Sequence, residues 1–517
     1  MGSKLRRVRL AIALALVAAG PAAAAPGYTI TELKPLHGSM SYTRDVNLAG
    51  QATGVMTDES ASTFAYRGFF YAPKGGLVDI GSLGGGNTFA VALNDAGLVT
   101  GWSQTASGAA HAFVFTPGVG MRDLGPSGRR SFGNDIGASG DVIGGLLPGD
   151  NAFVWSSSAG MRNVGLGNMA AVNFQGDVFG DRRGSSIVPG LWQPPYSTFV
   201  PFGPAPTSFA GAEVSGGNLF RHAAGTFLGR RGGRDAAFYW DGRTYRNLTP
   251  AGMRDASAES LNDADNVVVH ASDAKGAGFP FLFRLPSSPP VNGASLNPTG
   301  SAFSSLLEFS SIDDVGDIGG NGRVGGEIHG FVLTPPFVTQ LDTVRSILHG
   351  GIPPASPFFS YVDRILGPMT TADVTSCFEL RELRGSLSVS RGVPFSAPQR
   401  QVSANALQAV VSRNACTEGL PSVPVTVPHV FARKGEREQV TVRVARSVTI
   451  RADVPLGARF DVVGIREKGR TPKLKKTRTK TSVTVKVTRL KPGMLRFAVV
   501  ARKLLTTKGT PVITTVA

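Results

Sequence analysis

The side chains able to do chemistry are scattered. Seven histidines are spread along the chain, and the sequence contains no GxSxG elbow, HExxH helix, CxxC pair or phosphate-loop lysine motif. His111 and His329 fall at one position of a recurring pattern, where a strand histidine reads as a structural partner rather than a base. The stretch DDVGDIGGNG, Asp313–Gly322, carries the oxygen ligands of a calcium loop without EF-hand spacing. Turn aspartates normally bond their own backbone, so no metal site is assigned. No catalytic residue and no cofactor site is assigned either.

The strongest electrostatic feature is RTPKLKKTRTKT. Arg470, Lys473, Lys475, Lys476, Arg478 and Lys480 could hold an anionic polymer, with affinity that falls as salt rises. A solvated basic loop or hairpin arm is the plainer reading. Few aromatics interleave with these cations, which argues against single-stranded nucleic acid, and no nucleic-acid partner is expected. Pro421–Ala517 holds 22 Lys and Arg against 5 Asp and Glu, a net of +17 that equals the charge of the whole chain. The chain therefore has two regions with different surfaces, which points to different partners.

The elements that would position such groups follow from periodicity. TFAVALNDAGLVTGWS, from Thr88, and HAFVFTPGVGMRDLG, His111–Gly125, read together as four short strands joined by Asn-Asp and Pro-Gly turns. The turn signature recurs as VNLAGQATG, LNDAGLVTG, IGASGDVIG, VNFQGDVFG, a degraded EVSGGNLF, LNDADNVVV and IDDVGDIGG. We read the turn position as Asn47, Asn94, Gly137, Asn173, Ser215, Asn262 and Asp313. The third-strand signature keeps step, from FFY at Phe69 and FVF at Phe113 to FVL at Phe331. The period, about 44 residues, suits four-stranded propeller blades, and no segment of the region sustains a helical 3.6 period. The fold class expected is mainly β: a seven-bladed β-propeller over 28–336, then a helical connector over 337–420 and a basic C-terminal β-sandwich over 421–517.

The pattern resembles the HAF repeat of bacterial extracellular proteins, on His111-Ala112-Phe113 with the preceding LNDAGLVTG. Asn151-Ala152-Phe153 and His329-Gly330-Phe331 keep two of the three letters. The resemblance covers roughly residues 28–336. It implies export and a propeller-like repeat, and carries no reaction.

Residues 1–24 read as a secretory signal peptide, with basic Lys4, Arg6, Arg7 and Arg9, an apolar run from Leu10 to Ala19, and Ala22 and Ala24 before the cut. No later segment is a membrane-span candidate. Cys377 and Cys416 are expected to form a disulfide in an oxidising compartment. In the 337–420 region, Val338, Leu341, Val344 and Leu348 should share a helix face, and a second helix is expected over Ser403–Ala415. YTITELKPL, Tyr28–Leu36, resembles a fourth strand, while the last repeat lacks one. Thr29–Leu33 should therefore pair antiparallel with Phe331–Leu333 and close the ring.

These observations predict a secreted, non-enzymatic binding protein, whether extracellular, cell-surface or periplasmic. Propeller loops would present a ligand site, and the basic domain would contact an anionic cell-envelope polymer or polysaccharide. The alternatives are a glycan-active propeller enzyme, a lyase or hydrolase, and a purely structural envelope protein. Two carboxylates with a nearby His or Tyr in the channel mouth would favour the enzyme.

Overall fold

The computed structural model describes residues 27–414, apart from 60–63, 127, 232, 287–288, 351–356 and scattered positions between 368 and 394, and beyond 414 the backbone of seven strands. The signal stretch 1–24 lies outside the described residues.

Between residues 29 and 334 the chain forms seven four-stranded antiparallel units. Units 3 and 4 share one continuous strand, Gly160–Val172, whose first half is the outer strand of one unit and whose second half is the inner strand of the next. Each unit packs on the next, and the inner strand of unit 1, Ser41–Val46, packs on the strands Ile318–Val324 and Glu327–Thr334 of unit 7. The result is a propeller-like ring. Its closure is the one read from the sequence: Thr29–Leu33 is the outer strand of unit 7, antiparallel to Glu327–Thr334, with Ile30 opposite Leu333 and Glu32 opposite Phe331. Phe337 already belongs to a helix, so the chain offers no competing strand there.

The third-strand aromatics explain the repeat. Phe69, Phe113, Phe153, Phe238 and Phe331 are fully buried between neighbouring sheets, as an amphipathic sheet requires when it can bury its apolar face only on its neighbours. The recurring glycine of the second strand serves the same contact. A Cβ at Gly144 would lie 1.9 Å from the Phe132 carbonyl and 2.9 Å from the Phe153 ring, and one at Gly101 would lie 1.9 Å from the Phe89 carbonyl. Gly54, Gly180, Gly225 and Gly320 face the same carbonyl in their own units. Unit 6 departs from the rule, with Val269 opposite Phe281.

The helices after the ring pack against it. Helices α1 (Phe337–Gly350), α2 (Pro357–Leu366) and α3 (Ala397–Arg413) share one core with Leu48, Leu219, Ala264 and Val315 from the inner turns of units 1, 5, 6 and 7. They form a cap over one end of the ring. On α1, Leu341, Val344 and Leu348 are buried as the spacing predicts, but Val338 is 41% exposed, and Ile347 fills the face instead. Helix α3 begins before the expected Ser403. Ser396 accepts from the Gln399 N–H while Gln399 reaches back to the Ser396 N–H, and this reciprocal cap fixes the start. Cys377 is buried and disulfide-bonded; Cys416 lies outside the described residues. The C-terminal strands form two antiparallel sheets, one of three strands and one of four. No helix among the described residues is long and apolar enough to cross a membrane.

Candidate functional site

The axis of the ring holds a cavity of about 320 Å³. Its wall is built by one irregularity repeated seven times. Every inner strand breaks register at the same place, and the residue skipped, Arg44, Val91, Asn134, Ala170, Ser215, Glu259 or Ser310 by unit, lines the cavity. A bulge turns one residue out of the ladder and re-aims its side chain, here toward the axis. Ser215 is therefore not the turn residue of unit 5, as the degraded repeat suggested. That role belongs to Asn218, whose side chain accepts from the Phe220 and His222 N–H groups, as Asn94 accepts from Ala96 and Leu98.

The residue after the bulge ties one unit to the next where it is an aspartate. Asp45 accepts from the Leu93 N–H at 2.9 Å, and Asp135 from the Val172 N–H at 2.8 Å. Burial pushes Asp45 up to about 8 and Asp135 up to about 6, against the pull of those backbone hydrogen bonds.

At the capped end the turn asparagines form a hydrogen-bonded ring. Each donates its side-chain N–H to the backbone carbonyl of the next unit's turn residue: Asn47 to Asn94, Asn94 to Gly137, Asn173 to Asn218, Asn218 to Asn262, and Asn262 to Asp313, at 2.7–3.2 Å. Gly137 has no side chain to continue the series. Asp313 cannot donate, and there Arg413 at the end of α3 supplies the missing donor. Its guanidinium donates to the Asn47 carbonyl at 3.0 Å and to the Leu48 carbonyl at 3.2 Å, while pairing with Asp313 at 2.8 Å and with Asp317. Asp313 of DDVGDIGGNG is thus held by the Val315 and Asp317 N–H groups and, together with Asp317, by an arginine. Val402 and Asn405 of α3 floor the cavity. Asp95, Asp263 and Asp314 stand beside this floor, each accepting from a turn N–H of the preceding unit, and burial raises all three.

The opposite end is open, and its two sides differ. Two residues before each bulge stand Tyr42, Phe89, Phe132, Asn168, Glu213, Ser257 and Glu308, paired across the strand with Val55, Trp102, Gly145, Asp181, Thr226, His270 and Asn321. Units 1 to 3 present aromatics. Units 4 to 7 present carboxylates and polar groups. Arg183 pairs with Asp181 and Glu213, both at 3.2 Å; burial nonetheless pushes Asp181 up to about 6. Ser257 donates to Glu259, and Asn321 donates to Glu308 at 3.1 Å. Burial raises Glu259, the Glu308 charge adds to the rise, and His270 and Arg44 oppose it. Among the described residues no group of three or more His, Cys, Asp or Glu is arranged to hold a metal ion.

The repeat histidines stand on third strands and pair with carboxylates of the outer strands. His111 Nδ1 lies 2.9 Å from Asp123, and His329 Nδ1 lies 2.6 Å from Glu32. Glu32 thus does for unit 7 what the fourth-strand Asp123 does for unit 2. The basic residues stand elsewhere. Lys473, Lys475, Lys476 and Arg478 belong to a strand, Lys473–Arg478, hairpinned to Ser482–Thr488; Arg470 and Lys480 lie outside the described residues. The bulge residues, the aromatic mouth and Arg413 went unassigned in the sequence. Only the phase of the repeat, counted back from each turn asparagine, could have pointed to the bulges.

The sequence matches no family model and no curated protein. Among solved structures it is similar to virginiamycin B lyase from Staphylococcus aureus, at 11% identity over 60% of this chain and 100% of that one, with a TM-score of 0.40. It is also similar to TolB from Acinetobacter baumannii, at 9% identity over 59% and 96% with a TM-score of 0.34. The BP39L lectin from Burkholderia pseudomallei matches at 11% over 59% and 97%, with a TM-score of 0.35. Likeness at this level carries nothing about ligand or reaction.

Proposed function

We propose that this is an exported binding protein of the HAF-repeat kind, a seven-bladed β-propeller whose axial channel is a blind ligand pocket. The observation that carries the reading is the seven-fold bulge. It sends a non-repeating set of side chains, Arg44, Asn134, Ser215 and Glu259 among them, into a cavity that α3 closes at one end. A structural repeat needs no such variety at its axis, whereas a ligand site is a concavity with a few convergent polar groups. The basic C-terminal region is then a small β-sandwich holding the propeller near an anionic envelope polymer through Lys473, Lys475, Lys476 and Arg478.

Retention on envelope fragments, compared at low and high salt for the full chain and for a chain lacking 421–517, tests the anchoring. The full chain should be held at low salt and released at high salt. The truncated chain should stay folded, because among the described residues the ring and cap build cores of their own, and it should no longer be retained. Equal retention of both chains removes the anchoring role.

A second reading has one observation in its favour. Glu259 and Glu308 stand on adjacent units of the mouth with His270 and Tyr42 beside them, the combination that suits a glycan-active enzyme. Each carboxylate is already engaged, by Ser257 and Asn321, so binding is the reading preferred. Depolymerisation of a bound glycan that disappears in Glu259→Gln would reverse that preference.

A further inference from the structure

The aromatics of the mouth do not belong to the repeat's core. Core rings such as Phe113 and Phe153 are fully buried at a position that carries Phe in six of the seven units, with Gly190 in unit 4. Trp102 is half-buried, and its counterparts are Val55, Gly145, Asp181, Thr226, His270 and Asn321, so the fold does not require a ring there. Phe89 and Phe132 likewise have polar counterparts in units 4 to 7. Together they make a continuous wall. Phe64, 55% exposed, meets the Tyr66 edge at 5.2 Å, Tyr66 meets Phe89 at 4.8 Å, Phe89 stacks on Trp102 at 4.5 Å and 15°, and Trp102 meets Phe132 at 5.8 Å. Arg130 lies over Phe132, 5.2 Å from the ring centroid.

Across the mouth stand Glu213 with Arg183, Glu259 with Ser257, and Glu308 with Asn321, beside Arg44. A ligand spanning both sides needs an apolar face and a ring of hydroxyls, which is the build of a pyranose: axial C–H groups on one face and equatorial donors and acceptors at the rim. Carboxylates and guanidinium groups accept from and donate to vicinal hydroxyls in pairs. The carboxylates outnumber the cations on the polar side, which disfavours polyphosphate ligands such as single-stranded nucleic acid.

We propose that the open mouth is a saccharide-binding site, with Trp102, Phe89 and Phe132 as the stacking wall and Glu213, Glu259 and Glu308 as the hydroxyl-binding arc, for an uncharged oligosaccharide. The proposal rests on the reading of the channel as a ligand site, and the test separates the two. The full-length protein is screened on an array of neutral hexose and N-acetylhexosamine oligomers, and the best hit is titrated by calorimetry and by tryptophan fluorescence. Three variants run beside it. Trp102→Thr installs the residue that unit 5 carries at this position, Trp102→Phe keeps a ring, and Ala170→Trp fills the channel from a bulge whose counterparts include Arg44 and Glu259.

Binding should weaken about tenfold or more in Trp102→Thr, a loss of about 1.4 kcal/mol or more, in a variant whose circular dichroism spectrum matches the wild type. It should stay within about threefold in Trp102→Phe and be lost in Ala170→Trp. No binding of any neutral oligomer at millimolar concentration overturns the proposal. So does a hit that Trp102→Thr leaves unchanged. If oligolysine binds instead and Ala170→Trp removes it, the saccharide is wrong and the channel reading stands. If Ala170→Trp leaves every bound oligomer and oligolysine untouched, the channel reading fails as well.

Discussion

At the scale of single residues, Arg413 illustrates how a missing hydrogen-bond donor can be supplied from elsewhere in the chain. Six turn positions of the ring could be read from the sequence, because Asn and Asp announce a turn. The donor that bridges Asp313 to Asn47 could not, since it arrives from a helix a hundred residues later. Removing it in Arg413→Met leaves Asp313 and Asp317 buried without their cation and should cost about 3–5 kcal/mol of stability, measured by denaturant unfolding. The double variant Arg413→Met/Asp313→Asn restores a side-chain donor of the kind other units use, so it should regain part of that loss. A double variant less stable than Arg413→Met alone would show that Arg413 does not substitute for an asparagine. The channel carboxyls give a second residue-scale prediction. Asp45 is raised from its ordinary 3.8 to about 8 and Asp135 to about 6, so the folded state keeps protons that the unfolded chain has already released. Their contribution to stability therefore falls as pH rises from about 4 to about 8. Urea midpoints should decline across that window in the wild type and decline less in Asp45→Asn. A steeper decline in the variant would contradict the assignment.

At the scale of elements, the bulge and the glycine beside it are one device. The strand that bulges pushes the carbonyl of Phe132, or its counterpart, into the space a Cβ would occupy at Gly144. Gly144→Ala should accordingly cost about 3 kcal/mol. Gly145→Ala, whose new Cβ meets nothing within 4 Å, should stay within about 0.5 kcal/mol of wild type. Thermal unfolding of the pair checks this, and equal losses would refute the steric account. The glycine closes most of the turn signatures, as in LNDAGLVTG and IGASGDVIG, yet its steric role could not be read there, whereas the strand pairing at the ring closure was legible because TITEL carries the same acidic-then-leucine ending as GMRDL. The bulge itself was not, since one skipped residue leaves the alternation on either side intact. The degraded fifth repeat misled for the same reason: Ser215 offered a turn-like side chain three residues before the true turn at Asn218.

At the scale of the whole molecule, the cap changes what the ring is. An open propeller channel runs through, whereas here α1, α2 and α3 bury Leu48, Leu219, Ala264 and Val315 and make the channel blind. The sequence announced helices after residue 336 through their apolar spacing. It could not announce where they dock, because the apolar turn residues they cover read equally well as ordinary surface leucine and alanine. The consequence is a pocket with one entrance. The most direct test is a calorimetric titration of the full-length protein and of Ala170→Trp with neutral oligosaccharides released from the envelope of the producing cell, at a salt concentration that releases the basic tail from anionic polymer. The account predicts saturable binding with one site per chain in the wild type and none in the channel-filled variant, at matching thermal midpoints. Equal binding by both proteins would contradict it.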